Sequence, residues 1–141
     1  MVDIVGLEAL GPITDFLHGK EGRSMMGCLP AQVEEMISLA NHKFPGKGVC
    51  VVRHWIFAEL QVGESDKAAL ASAGIQPFMI WGGEVLQDQR RPFAVGGWMR
   101  STPMVSFTEP CLFESRNSIY LLQGPGLAKS VAPDVILSFH G

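Results

Sequence analysis

The sequence predicts an α+β protein with a curved, mostly antiparallel β-sheet and one or two helices packed on one of its faces. Three observations lead to this fold class. One stretch has the apolar periodicity of an amphipathic helix, one long stretch is dense in β-branched and aromatic residues, and the C-terminal part alternates short apolar runs with turn residues. With 141 residues, 47% of them hydrophobic and 18% charged, the chain suffices for one core, so we expect a single domain over residues 1–141.

The first predicted helix begins near Pro30, because proline suits the first turn of a helix. Apolar residues follow at spacings of three and four and therefore share one face of this helix: Val33, Met36, Ile37, Ala40 and Phe44. Pro45 and Gly46 end the helix. Residues 1–28 precede it, and we expect them to form an irregular N-terminal segment.

Two strands and a short helix are predicted next. The segment 49–60 has the composition of a long, buried strand. Residues 64–73 predict a helix with acidic residues at its start and a glycine at its end. A second strand is expected over 76–81 and again over 84–86, with the glycine pair between them forming a bulge or a bend.

After Gly97 the pattern changes to short strands separated by turns, which predicts an antiparallel meander. Its predicted strands are 98–102, 104–107, 111–114 and 118–122. Gln123–Gly126 is read as a further turn, and the tail 132–139 is expected to form either a last helical turn or an edge strand.

Charge and apolar pattern exclude several classes of function. The 11 basic residues against 14 acidic ones give a net charge of −3, too acidic for a general nucleic-acid-binding protein. The start of the chain lacks the pattern of a secretory signal, and no apolar run is long enough to span a bilayer. We therefore expect a cytoplasmic protein that does not associate with membranes.

A C-terminal segment then resembles a known family. Its letters, GWMRSTPMVSFTEPCLFESRNSIYLLQGPG, are similar to the signature of a family of short bacterial and prophage proteins, which reads approximately W-V-R-[ST]-[ST]-P, then C-L-F-E-T-R-N-T-V-Y and G-x-G. The matching positions include Trp98, Arg100, Cys111, Glu114, Arg116, Asn117 and Tyr120. The resemblance implies a domain of unknown function of bacterial or phage origin, and it implies no particular activity.

The candidate catalytic residues are few. Cys50 and His54 share a face of a predicted strand but lie about 13 Å apart by strand rise, too far for proton transfer. Cys111 has the surroundings of a core residue, whereas Cys28 lies in a predicted loop and is the one cysteine that we expect to be exposed. An odd number of cysteines favours buried thiols over a disulfide framework.

Metal and nucleotide sites are not expected. The histidines and cysteines show no HxH, HxxxH or CxxC spacing, and the glycine pairs do not form a phosphate-binding loop. We therefore predict neither a metal ion nor another cofactor.

The polar residues within the resembling segment form the candidate binding site: Arg100, Glu114, Arg116 and Asn117, with Trp98 as an aromatic anchor. One interpretation is structural, with Glu114 paired to Arg100 or Arg116 across neighbouring strands and Asn117 in a turn. The other is a polar patch that recognises an anionic or peptide partner.

The leading functional hypothesis is a small non-catalytic protein that binds another protein, for example as an inhibitor of a host factor or of a defence complex. The alternative is a small enzyme of hydrolase or transferase type that uses Cys28 or His54 with Glu114. Nucleic-acid binding through Arg90, Arg91, Arg100 and Arg116 ranks third.

Overall fold

The computed structural model describes residues 4–19, 21–90 and 93–139. They form four helices and eight strands, with one 3₁₀ turn, Pro30–Gln32, leading into the second helix. In chain order these are α1 (Ile4–His18), β1 (Arg23–Met26), α2 (Val33–Lys43), β2 (Gly48–Leu60), α3 (Glu64–Ser72), β3 (Phe78–Asp88), β4 (Met99–Arg100), β5 (Ser106–Thr108), β6 (Leu112–Glu114), β7 (Ser118–Leu122), β8 (Pro125–Val131) and α4 (Pro133–Leu137).

The strands form one curled, half-barrel sheet around β2. On one side, β2 pairs antiparallel with β3, which also carries β4. On the other side, β7 runs parallel to the first part of β2 and β8 runs parallel to the last part. The outer edges of β7 and β8 pair with β6 and β1, and β5 pairs with β6. Most of these pairings are antiparallel, so the predicted α+β class with a curved sheet is confirmed.

The meander is shorter than predicted. It comprises β5, β6 and β7, whereas the segment around β4 leaves it and lies against β3. Ser101 fixes this arrangement, because its backbone N–H donates to the Ile80 carbonyl and its Oγ accepts from the Ile80 N–H, both at 2.8 Å. The prediction that 98–102 is the first strand of the meander is therefore wrong, because this segment contributes β4, which pairs with β3.

Two further segments differ from the expectation. The stretch 1–28 was expected to be irregular, but it contains α1 and β1. Part of the expected turn Gln123–Gly126 is the beginning of β8. Of the two alternatives for the tail 132–139, the structure shows the helix, α4.

Helix α2 packs against β2 and β7, as its apolar spacing predicts. Val33 and Ala40 are buried, and Met36 and Ile37 pack against the larger hydrophobic cluster of the protein. The smaller cluster joins Phe16 of α1 and Ile136 of α4 to the last part of β2. Of the helices in the described part of the chain, none combines the length and the apolar content that crossing a membrane requires.

Lys129 of β8 closes the end of α1. Its side chain is buried, and Nζ donates to the carbonyls of Phe16 at 2.7 Å and Gly19 at 2.9 Å. A helix leaves its last carbonyls without backbone partners, so this cation supplies the missing donors at the negative end of the helix dipole. Burial lowers the pKa of Lys129, and the nearby carboxylate of Glu21 offsets part of this shift.

Candidate functional site

Trp98 and Arg100 lie beside the C-terminal end of the described chain. The Trp98 ring meets the Phe139 ring edge to face, with centroids 5.8 Å apart, and 42% of Trp98 is exposed. The Arg100 guanidinium donates through Nε to the Phe139 carbonyl at 2.6 Å and through Nη1 to the Ser101 carbonyl at 3.4 Å. Both residues therefore hold the segment after α4 against the edge of the sheet.

Glu114 lies elsewhere, at the end of β6. Its carboxylate forms an ion pair of 2.5 Å with Lys47 and accepts a hydrogen bond of 2.7 Å from Ser106 Oγ. Burial raises the pKa of Glu114, but the hydrogen bonds from Lys47 and Ser106 outweigh it, so the pKa lies below its ordinary value. The expected pairing with Arg100 or Arg116 is replaced by one with Lys47, which follows α2.

Arg116 and Asn117 lie in the turn between β6 and β7. Arg116 Nη2 donates to the Ala73 carbonyl at the end of α3, at 3.0 Å. The Asn117 carbonyl accepts from Arg90 Nη1 at 3.2 Å. The five predicted binding residues thus make their contacts in different parts of the fold. The cause is that β4 pairs with β3, whereas the turn belongs to the meander.

The candidate binding site, which we call the Trp98 surface, comprises Trp98, Val95 three residues before it in the chain, half-buried Arg100, and Leu137, which lines the same pocket as Arg100. Val95 is 70% exposed and Leu137 50% exposed. Beneath it, the Phe139 ring also contacts the rings of Phe16 and Trp81, with centroids 6.1 and 5.9 Å apart. Phe139 carries no signal in the sequence, because its contacts reach residues far away in the chain.

The cysteines are all buried. Cys28 was expected to be exposed, but it is only 1% accessible because its N–H donates to the Leu122 carbonyl and fixes it against β7. Burial raises the pKa of Cys28, and it raises the pKa of Cys50 and Cys111 to about 12. The Asp88 carboxylate adds to the shift at Cys50. Thiols with such high pKa values are poor nucleophiles at neutral pH.

The residues of the alternative enzymatic hypothesis have separate surroundings. Cys28 lies beside Cys111. Among the described residues, the Glu114 carboxylate is bound by Lys47 and not by Cys28. His54 is exposed on β2. Within residues 4–19, 21–90 and 93–139, no three His, Cys, Asp or Glu side chains are close enough together to hold a metal ion.

Comparison with known proteins extends the resemblance seen in the sequence. No curated protein and no solved structure matches the chain. One family model does match, over residues 26–138, and this range includes β1 in part, every later strand, and the Trp98 surface. The match covers well over half of the 141 residues. The chain belongs to the family described as Domain of unknown function (DUF6957).

Proposed function

We propose that this protein is a non-catalytic binding protein, that its partner is another protein, and that the Trp98 surface makes the contact. The observation that carries the proposal is Trp98 itself, which is 42% exposed although the edge-to-face contact with Phe139 fixes one side of its ring. A large aromatic side chain held in one orientation loses little conformational entropy when a partner covers it.

The composition of the surface supports the same role. Tryptophan and arginine are enriched among the residues that dominate binding energies at protein interfaces. Here the surface combines the exposed indole of Trp98 with the exposed apolar side chains of Val95 and Leu137, and half-buried Arg100 supplies a cation. A partner with an apolar centre and an acidic rim would complement these groups.

The proposed biological setting is a bacterial cell, with the protein encoded on the chromosome or on a prophage. In that setting the partner would be a host factor, for example a component of a defence complex that the protein inhibits. The support for this setting is the resemblance of the C-terminal segment to bacterial and prophage proteins. The buried, weakly nucleophilic cysteines support the non-catalytic role.

A site-specific crosslinking experiment tests this function. A photoreactive phenylalanine is placed at position 98 and, as a control, at position 39, because Leu39 is a similarly exposed apolar residue (44%) on α2. Crosslinking is carried out in bacterial cells with and without phage infection. We expect one protein to be crosslinked from position 98 and not from position 39.

The captured protein is then purified and its affinity measured. Trp98→Ala should weaken binding at least about tenfold, which is the range of an interface residue that dominates the binding energy, whereas Leu39→Ala should leave the affinity unchanged. Equal capture from both positions, or equal affinity of Trp98→Ala and the unmodified protein, would contradict the proposal.

A further inference from the structure

A second feature of the protein is a pocket of about 570 Å³ between the end of α1 and the sheet. We call it the His54 pocket, after the residue at its rim. Its size falls within the range of small-molecule sites in proteins. Its lining includes none of the four residues of the Trp98 surface, although Trp81 in the lining contacts the same Phe139 ring as Trp98 does.

The floor of the pocket is a row of side chains across four strands. Ser24 of β1 pairs with Leu127 of β8, Leu127 pairs with Ile56 of β2, and Ile56 pairs with Trp81 of β3. Paired residues on neighbouring strands point to the same face of a sheet. Leu17 lines the pocket from α1. The floor is therefore apolar and, at Trp81, aromatic, with one hydroxyl at its end.

An irregularity in β2 leaves the space above this floor open. His54 has a left-handed backbone, with φ of 56°, and both Arg53 and His54 are exposed between buried Val52 and Trp55. Across from them, β3 has a glycine at position 83, where a Cβ would lie only 3.0 Å from the His54 carbonyl oxygen. At position 83 itself β3 has no side chain, and the nearest large apolar side chain is the Trp81 ring, whose Cζ3 would lie 3.4 Å from a Cβ there.

Except for Glu84, the polar side chains at the rim can donate hydrogen bonds, and the Trp81 indole can only donate. His18, His54 and Ser24 line the pocket, and in the described part of the chain none of their side chains has a hydrogen-bond partner. The acidic residue of the lining, Glu84, is already bound by Arg53 at 2.8 Å. Trp81 adds a buried indole N–H that also lacks a partner among the described residues. This one buried donor, three exposed side chains that can donate, and a carboxylate already bound by Arg53 together suit a ligand with an acidic group.

We propose that the His54 pocket binds a small molecule with a flat, apolar ring system and a single acidic group. The rings lie on Ile56, Leu127 and Trp81, and the acidic group accepts hydrogen bonds from the imidazoles of His54 and His18. The backbone of His54 fits this role, because a non-glycine residue held in a left-handed conformation is common at ligand sites.

Titration with 1-anilinonaphthalene-8-sulfonate tests the proposal, because this fluorescent probe has aromatic rings and one acidic group. We expect saturable binding to one site. N-phenyl-1-naphthylamine, which has the same rings without the sulfonate, should bind at least about tenfold more weakly, the change expected when charge-assisted hydrogen bonds are absent.

Two variants locate the site. His54→Gly removes the imidazole and suits the left-handed backbone, so it should weaken sulfonate binding about tenfold while the melting temperature stays the same or rises. His18→Asn should also weaken binding. His42→Asn is the matched control, because His42 is likewise an exposed histidine in the last turn of a helix but does not line the pocket.

The outcomes separate the His54 pocket from other apolar surfaces. Trp98→Ala should weaken probe binding less than His54→Gly does, because Trp98 reaches the pocket only through the Phe139 and Trp81 rings. The proposal is overturned if the uncharged probe binds as tightly as the sulfonate, if His54→Gly binds the sulfonate like the unmodified protein, or if Trp98→Ala weakens probe binding more than His54→Gly does.

Discussion

The Trp55 ring lies directly against Gly126, at the point where β8 begins beside β2. A Cβ at position 126 would lie 2.4 Å from Cδ2 and Cε3 of the indole, closer than any real contact. The indole N–H also donates to the Gln123 carbonyl at 3.1 Å. Trp55 therefore occupies the space that a side chain on β8 would need, and it binds the backbone where β7 passes into β8.

Gly126→Ala tests this packing. The added methyl group must displace the buried indole, so we expect the free energy of unfolding to fall by about 2–3 kcal/mol, in the range of overpacked cores. Gly11→Ala is the control, because a Cβ at that helical position meets nothing within 4 Å and should be neutral or slightly stabilising. Urea denaturation measures both. Equal stability of the two variants would mean that the indole does not fill this space.

Ile37→Asp tests the packing of α2 on the sheet. Ile37 is half-buried against the large hydrophobic cluster, and a carboxylate there would lack a partner. We expect the free energy of unfolding to fall by about 3 kcal/mol. The matched control on the same helix is Leu39→Asp, at a residue that is 44% exposed, which should change stability little. A melting temperature of Ile37→Asp equal to that of the unmodified protein would show that this face of α2 does not pack as described.

Lys47→Met tests the ion pair with Glu114. Because the folded state holds the pKa of Glu114 below its ordinary value of 4.5, the pair stabilises the protein above that pH, and this contribution is lost as the pH falls through the folded-state pKa. We expect Lys47→Met to lower the free energy of unfolding at pH 7 by about 1–2 kcal/mol, because the side chains of both Lys47 and Glu114 are largely buried.

The pH dependence distinguishes the ion pair from a packing effect. The stability difference between Lys47→Met and the unmodified protein should shrink in acid, where Glu114 is protonated. Lys67→Met is the control, because its contact with Glu64 is 3.6 Å long and largely exposed, and such pairs contribute little. A difference for Lys47→Met that is the same at pH 3 and pH 7 would argue against the pair.

The buried thiols predict a loss of stability in base. Cys50 and Cys111 have an ordinary pKa of 9.0 when unfolded and about 12 when folded. Between these values the unfolded state binds fewer protons, so the free energy of unfolding falls as the pH rises, by up to roughly 1.4 kcal/mol per pH unit for each thiol. Urea denaturation between pH 8 and pH 11 measures the slope.

Cys50→Ala provides the comparison for this slope. The variant should lose stability less steeply above pH 9.0 than the unmodified protein, because one buried thiol is gone. The pKa of Tyr120 is raised to about 12 by burial and, next, by the charge of Cys50, so Cys50→Ala also removes part of the contribution of Tyr120 to the slope. Identical slopes would show that Cys50 ionises as readily in the folded state as in the unfolded one.

Local sequence patterns determined several elements of this protein. The three-and-four spacing of apolar residues in α2, the β-branched run of β2 and the turn residues between β5, β6 and β7 act between near neighbours in the chain, so they can be read from the sequence. The sequence also suggests Trp98 as an aromatic anchor, whereas its exposure follows only from the structure. These features depend on backbone preferences and on which face of an element is apolar.

The tertiary structure decided the features that depend on contacts between distant segments. Helix α1 contains Pro12 and lacks a strong local signal, and its Phe16 packs against Ile136 far along the chain. The Gly124–Gly126 stretch has the composition of a turn, but Gly126 continues as strand because only a residue without a side chain can pass beside the Trp55 ring. The ion pair between Glu114 and Lys47 and the space of the His54 pocket also depend on the tertiary structure. Both follow from which strands become neighbours, and the order of residues along the chain does not determine those neighbours.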